Sequence, residues 1–164
     1  MLAAAAVARW RATRGTQYAA PARMPSKAQA ILEVMYRTVT RNIEVSVTPQ
    51  YLTDRSSPDT GEYFWAYTIE ITNRGAETVQ LRTRHWRITD AMGRRQEVRG
   101  AGVVGKQPVL KPGDSFEYTS GVPLPTPSGF MTGTYGMVGP NGETFDIEIP
   151  TFSLDGPDAK RTLN

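Results

Sequence analysis

The chain of 164 residues is long enough for one domain with its own hydrophobic core. It has no cysteine and a single histidine, His85, which excludes disulfides, thiolate metal sites and zinc sites built from several histidines of one chain. The net charge of +3 originates in residues 1–34, where five basic residues face Glu33 alone. The remainder is close to neutral, so no nucleic-acid partner is predicted.

Residues 1–35 are rich in Ala and Arg. Their apolar run, 2–8, is too short to span a bilayer, and no basic residue precedes it as in a secretory signal. We expect residues 1–35 to be a disordered leader, or sequence upstream of a true start at Met35. We expect residues 36–164 to form the domain of a cytoplasmic protein that does not contact a membrane.

Apolar and polar side chains alternate from Tyr36 onward, which is typical of half-buried strands. The alternation first appears in Ile43, Val45 and Val47. It continues in a second segment with one apolar face, formed by Tyr63, Trp65, Tyr67, Ile69 and Ile71. We predict that this second segment is a central strand of a sheet with one solvated face.

The alternation changes phase within residues 79–90. Leu81 is apolar at an odd position whereas Trp86 is apolar at an even one, so the apolar face slips by one residue between Arg82 and His85. A slip of one residue predicts a β-bulge or a bend in the strand.

The same strand carries three arginines that could form a basic-aromatic patch with Trp86. These arginines are Arg82, Arg84 and Arg87. Simple alternation places Arg82 and Arg84 together on a solvated sheet face, and this is the interpretation that we prefer.

Further strands are predicted near Val98, around Phe116 and Tyr118, and in a hairpin with its turn at residues 140–142. No segment after Tyr36 has a sustained apolar stripe at helical spacing. About seven short strands without helices predict an all-β fold, an antiparallel immunoglobulin-like or fibronectin type III-like sandwich held by aromatic packing.

Residues 100–108, GAGVVGKQP, match the GxGxxG spacing of dinucleotide-binding turns and come within one residue of a Walker A loop. Such loops bind phosphate because a helix follows them. Here Pro108 and Pro112 oppose a helix, and Gln107 replaces the hydroxyl residue that would hold Mg²⁺. We therefore predict a glycine-rich turn with positive φ angles, in a long connection that crosses the sandwich.

An alternative remains open for this segment. Backbone amides flanked by two basic side chains could form an anion-binding nest without any helix. The candidate residues of this anion site are Arg99, Gly100, Gly102, Gly105 and Lys106.

Two other features could carry chemistry. His85 invites a catalytic role, but no nucleophile elbow accompanies it, so a packed strand residue is predicted. The segment 53–62 has the carboxylates Asp54, Asp59 and Glu62, which suit hard cations, but its Ser, Pro and Gly content is typical of a solvated turn. We predict no cofactor, no metal ion and no catalytic residue.

Several long motifs in this order resemble the ApaG family: YFWAYTIEITN, VQLRTRHWRITDAMGR, EVRGAGVVGKQPVLKPGDSFEYTSG and FDIEIPTFSLD. The resemblance covers residues 36–164 and implies a fibronectin type III-like sandwich. It also implies a genetic link to cobalt and magnesium tolerance and to dinucleoside tetraphosphate hydrolase genes. Similar domains in eukaryotic F-box and polymerase-interacting proteins look like interaction modules, and Lys106 stands where relatives commonly have an acidic residue.

The resemblance favours a non-enzymatic binding module with a protein partner, linked indirectly to cobalt and magnesium tolerance, and it is compatible with a homo-oligomer. The alternative is a phosphate or nucleotide sensor that binds its anion through the glycine segment at 100–106.

Overall fold

The structure is a computed structural model that describes residues 34–157 and the backbone of residues 7–11. Within these residues ten strands form two antiparallel sheets, which confirms the predicted β-sandwich and adds three short strands to the seven expected. The strands are β1 (Val7–Arg11), β2 (Tyr36–Thr40), β3 (Ile43–Tyr51), β4 (Tyr63–Asn73), β5 (Val79–Asp90), β6 (Arg95–Ala101), β7 (Val109–Leu110), β8 (Ser115–Leu124), β9 (Ser128–Val138) and β10 (Thr144–Asp155).

The first sheet has the strand order β1-β8-β4-β3-β2, and the second has the order β10-β9-β5-β6. The short strand β7 also pairs with β5, beyond the end of β6. Strand β10 lies against β2 and β3 of the first sheet, where the Thr40 hydroxyl accepts a hydrogen bond from the Glu148 amide at 3.1 Å. The two sheets therefore close on each other along the side formed by β10 and β2.

Aromatic rings from both sheets meet in the core, as the sequence predicts. Tyr67 of β4 packs edge-on against Trp86 of β5, with ring centroids 5.4 Å apart. Trp86 in turn contacts Phe152 at 6.0 Å and Tyr135 at 6.4 Å. Perpendicular ring contacts of this kind add to the stability gained from burial, so the core needs no covalent cross-link.

Two buried phenols join the sheets by a hydrogen bond. Tyr118 of β8 and Tyr135 of β9 point at each other across the core, and their hydroxyl groups bond directly. Burial raises the pKa of both phenols, because the phenolate would lose its hydration inside the core. Both side chains therefore stay neutral in the folded protein at physiological pH.

Strand β5 contains the bulge that the phase slip predicts. Leu81 pairs with Met137 of β9, but the next pair is Thr83 with Gly136, so Arg82 is an extra residue on β5. Beyond the bulge the even-numbered residues, including Trp86, face the core. The bulge lies at the beginning of the predicted interval.

A buried carboxylate fixes the turn that follows β5. Asp90 accepts hydrogen bonds from the backbone amides of Met92 and Arg94 and from the Arg94 side chain, at 2.7 to 3.0 Å. Burial by itself would raise the pKa of Asp90, but these bonds hold that pKa below its ordinary value. The turn returns the chain along β5 as β6.

The glycine segment does not cross the sandwich, and this prediction was wrong. β6 and β7 both pair with the same edge of β5, so residues 102–108 are an excursion between two collinear strands. The chain crosses to the other sheet only at residues 111–114. The sequence suggests a crossing at the glycines because a two-residue strand such as β7 leaves too short a pattern to recognise.

The excursion contains a two-residue turn. The backbone groups of Val103 and Lys106 exchange two hydrogen bonds of 2.8 Å, and the two residues between them have positive φ, +51° at Val104 and +71° at Gly105. This is the geometry of a type I′ hairpin turn. The positive φ predicted for Gly102 and Gly105 is confirmed, whereas Gly100 is part of β6 and has no such angle. No helix follows Gly105, as predicted.

Strand β1 lies within the segment predicted as a disordered leader. Residues 7–11 pair with residues 115–119 at the outer edge of β8, so the structure differs from that prediction over these five residues. An unpaired sheet edge offers backbone groups that a further strand can satisfy. The rest of the predicted leader, residues 1–6 and 12–33, lies outside the described residues. No helix among the described residues is long and apolar enough to span a membrane.

Replacing Gly102 with Ala should destabilise the protein more than replacing Gly105 with Ala. Both residues have positive φ, which costs an alanine about 1–2 kcal/mol. A Cβ atom at Gly102 would also lie 2.3 Å from the Lys106 carbonyl oxygen, whereas a Cβ atom at Gly105 meets nothing within 4 Å. Overpacking adds about 1–3 kcal/mol to the Gly102 variant. Urea denaturation measures both losses, and equal values would contradict the described turn.

The double variant with Tyr118→Phe and Tyr135→Phe should stay folded to higher pH than the wild type. A phenol whose pKa is raised by folding stabilises the protein fully below its unfolded pKa of about 10, and this stability is lost as the pH rises above that value. Circular dichroism during alkaline titration measures the midpoint. An unchanged midpoint in the double variant would contradict the buried hydroxyl pair.

Candidate functional site

An open cleft of about 360 Å³ lies between the sheets on the side opposite β10, and we call it the β6–β8 cleft. One wall comes from β5 and β6 of the second sheet, and the other comes from β4 and β8 of the first sheet. Most of its lining is aromatic or aliphatic, with a few polar groups among them. The lining residues used below are Tyr67, Arg84, Trp86, Val98, Val104 and Ser120. A concave apolar site with few polar groups is the usual form of a binding site.

The bulge at Arg82 turns Arg84 into this cleft. Arg84 lies two residues before Trp86 on the same face of β5, and its side chain is half-buried, whereas Arg82 is exposed. The predicted arrangement, with Arg82 and Arg84 together on a solvated face, is therefore wrong. The extra residue in β5 reverses the alternation between the two arginines.

The Arg84 guanidinium is held in one orientation at the edge of β6. Its Nη1 atom donates hydrogen bonds to the carbonyl oxygens of Ala101 at 2.9 Å and Gly102 at 2.8 Å. Gly100 lies directly opposite Arg84 in the sheet, and a Cβ atom there would lie 3.0 Å from the guanidinium. Gly100 therefore leaves the space through which Arg84 reaches these carbonyls.

The lining of the cleft also includes the hydroxyl groups of Tyr67 and Ser120. Burial raises the pKa of Tyr67, an effect opposed in part by the neighbouring Ser120 hydroxyl and by the positive charge of Arg84. Within residues 34–157 no carboxylate lies within 4 Å of the Arg84 guanidinium. The cleft thus carries one fixed positive charge without a counter-ion from the described residues.

The backbone at the end of the cleft is strained. Val104 has a φ angle of +51°, a conformation that β-branched residues rarely adopt. Its side chain packs against the core and lines the cleft. Strain of this kind costs about 1–3 kcal/mol and occurs preferentially at binding and catalytic sites. The strained residue therefore supports the assignment of the cleft as a functional site.

The five residues of the predicted anion site do not converge on one point. Arg99 and Gly100 line a second open pocket, outside the β6–β8 cleft, and the Arg99 guanidinium lies 3.7 Å from the Glu97 carboxylate. Gly102, Gly105 and Lys106 belong to the excursion after β6.

Three of the amide groups of that excursion already have partners. The Gly102 amide donates to the Arg82 carbonyl, and the amides of Val103 and Lys106 donate within the turn, each at 2.8 Å. The amides of Val104 and Gly105 have no acceptor among the described residues. The anion site stays a prediction, with these two amides as its remaining donors.

The outer face of the second sheet holds the other candidate residue, His85. Its Nε2 atom lies 3.2 Å from a carboxylate oxygen of Glu97 on the neighbouring strand. The hydrogen bond to His85 lowers the pKa of Glu97, and the charge of Arg99 acts in the same direction. Sequence reasoning predicted a packed strand residue here, and His85 is half-buried in β5.

The acidic segment 53–62 consists of two short 3₁₀ turns, Thr53–Arg55 and Pro58–Thr60, as predicted for a solvated turn. In the parts of the chain that the structure describes, no three His, Asp or Glu side chains are grouped so that they could hold a metal ion.

Sequence reasoning missed most of the cleft. Tyr67 and Val98 are predicted to lie in strands and Ser120 is not singled out, and nothing in the sequence indicates that the side between β6 and β8 is open. The phase slip was the available signal for Arg84. If the alternation of side chains is taken from the apolar residue Trp86, Arg84 is predicted to face inward with it.

The comparisons with known proteins agree with the resemblance noted in the sequence. The family model described as ApaG domain matches residues 53–139. The protein ApaG of Rhodopseudomonas palustris strain TIE-1 is 68% identical over 130 residues, which cover 79% of this chain and 100% of that protein. The protein ApaG of Bradyrhizobium diazoefficiens is 67% identical over 130 residues, with the same coverage.

The fold agrees as well. A crystal structure of a Bordetella pertussis protein is 54% identical to this chain and matches it with a TM-score of 0.69. The match covers 71% of this chain and 94% of that one. The sandwich is therefore that of an ApaG domain, and the chain belongs to the ApaG domain family.

Proposed function

We propose that this protein is a non-enzymatic interaction module that receives an extended segment of a partner protein along β6, beside the β6–β8 cleft. The observation that carries the proposal is an edge strand with no partner on its outer side among the described residues, next to an open apolar cleft. Recognition by strand addition takes its affinity from main-chain hydrogen bonds and its specificity from pockets for alternate side chains.

The hydrogen-bond phase of β6 defines which groups are available to a partner. Gly102 donates to the Arg82 carbonyl at 2.8 Å, and at the other end Asp90 donates to the Arg94 carbonyl at 3.0 Å. Paired residues in an antiparallel ladder alternate between bonded and non-bonded positions. The even-numbered residues of β6 therefore bond to β5, and the amides and carbonyls of Arg95, Glu97 and Arg99 face outward.

The side chains on the inner face of β6 supply the pocket. Val98 lies opposite Trp86 in the sheet and lines the cleft together with Val122 of β8. A strand added beside β6 would place every second side chain over this cleft. Apolar side chains of the added segment would then be removed from water, at roughly 25 cal/mol for each Å² buried.

We also propose that the link to cobalt and magnesium tolerance, which the family resemblance implies, is indirect. The partner, rather than this chain, would act on the cations. The proposal is supported by the lack of any grouping of three potential metal ligands within residues 34–157.

The alternative function is phosphate or nucleotide sensing by the glycine segment, and it would use different backbone amides. It would use the amides of Val104 and Gly105, which lie at the turn and not along β6. Titration with pyrophosphate distinguishes the two, because a sensor would show saturable shifts at these two amides. Binding of an extended segment would shift the outward amides of β6 instead.

Octapeptides selected from a random pool by the full chain should bind along β6. In ¹⁵N-labelled protein we expect the largest amide shifts at Arg95, Glu97 and Arg99, because their N–H groups face the free edge. Glu97→Pro removes one outward amide and keeps the ladder to β5, so it should weaken binding at least tenfold.

Glu97→Ala is the matched control, since it removes the same side chain but keeps the amide. It should bind the selected peptides as the wild type does. Equal binding by all three proteins, or shifts confined to β2 or to the turn at Val104, would contradict the proposal.

A further inference from the structure

The preceding proposal leaves open which partner segments fit, and the Arg84 side chain narrows the choice. Because Nη1 bonds to two neutral carbonyl groups, the charge of the guanidinium is not compensated. Within residues 34–157 the structure gives the Nε and Nη2 atoms no hydrogen-bond partner, and no carboxylate lies within 4 Å. Arg84 therefore retains donors for a ligand.

The guanidinium is also preorganised. Its two hydrogen bonds to the Ala101 and Gly102 carbonyls fix its orientation before any ligand arrives. A side chain that is already ordered loses little entropy on binding, so more of the interaction energy appears as affinity. The planar fork of an arginine matches the two oxygens of a carboxylate.

The surroundings strengthen the attraction for a negative charge. The lining of the cleft near Arg84 includes the rings of Tyr67 and Trp86 and the aliphatic side chain of Val104. Apolar walls lower the local dielectric constant and so increase the Coulomb attraction between a guanidinium and a carboxylate. The nearest acidic side chain of β6, Glu97, is engaged with His85 on the opposite face of the sheet.

The position of Arg84 specifies which carboxylate fits. The Ala101 carbonyl faces the free edge, where it could accept a hydrogen bond from the backbone of an added strand. The Arg84 guanidinium already donates to this carbonyl, so an added strand cannot continue its hydrogen bonds past Ala101. The chain also leaves the line of β6 after this point, in the excursion at 102–108. An added strand therefore ends at Arg84.

We propose that the β6–β8 cleft binds the carboxyl-terminal end of a partner protein, running parallel to β6, with its terminal carboxylate on the Arg84 guanidinium. This inference rests on the proposed function, and it names the partner segment. The last side chains of the segment would alternate between solvent and the apolar cleft.

Two synthetic pools of random octapeptides test this inference with the full chain. The pools are identical except that one has free C-terminal carboxylates and the other has C-terminal amides. We expect the wild type to retain at least tenfold more peptide from the acid pool, measured by mass spectrometry after gel filtration. Arg84→Gln should remove the difference, and Arg84→Lys should restore part of it.

Arg82→Gln is the matched control, because Arg82 belongs to the same strand but is exposed and outside the cleft. It should keep the preference for the acid pool. The comparison of the two pools on the wild type needs no variant, so it remains informative if Arg84→Gln does not fold.

The other outcomes separate the two proposals. The wild type could retain both pools equally, and Glu97→Pro could fail to retain either. This result would overturn the binding of a terminal carboxylate but would still support strand addition along β6. A second outcome is that amidated peptides are retained as well as free acids, but only if they contain Asp or Glu. This result would overturn the terminal carboxylate and would show that Arg84 binds an acidic side chain instead. Failure to retain either pool would count against the interaction module itself.

Discussion

One extra residue in β5 determines the character of the open side of this sandwich. The bulge at Arg82 reverses the alternation of the strand, so that Arg84 joins Trp86 on the inner face and not Arg82 on the outer face. Without the bulge the alternation set by Leu81 would place Thr83 on the inner face and Arg84 on the outer face beside Arg82. A single backbone irregularity thus brings an arginine into an apolar cleft. Among the described residues that line the cleft, Arg84 is the only arginine.

The neighbouring segments are shaped to accommodate the Arg84 side chain. Gly100 has no side chain where the guanidinium passes, and the carbonyls of Ala101 and Gly102 receive its hydrogen bonds. The turn beyond them folds Val103 into the core and holds Val104 in a strained conformation at the cleft wall. The glycines that suggest a nucleotide loop therefore terminate an edge strand and shape the end of the β6–β8 cleft.

Much of the fold could be predicted because two-residue alternation reports burial directly, as in Trp65, Tyr67 and Ile69. The bulge was also predictable, since it leaves a phase slip in the sequence. Its consequence for Arg84 was missed because the arginines were counted from the wrong side of the slip. The open side of the sandwich and the collinearity of β6 and β7 depend on contacts between distant segments, and no local pattern encodes them.

The position of the Arg84 side chain can be measured directly by nuclear Overhauser contacts in the full chain in solution. We predict contacts from the Arg84 side-chain protons to the Gly100 α-protons and to the Tyr67 ring, both on the inner face. Contacts to Thr134 or Asp146 on the outer face, with none to Gly100 or Tyr67, would contradict the bulge and the cleft that depends on it.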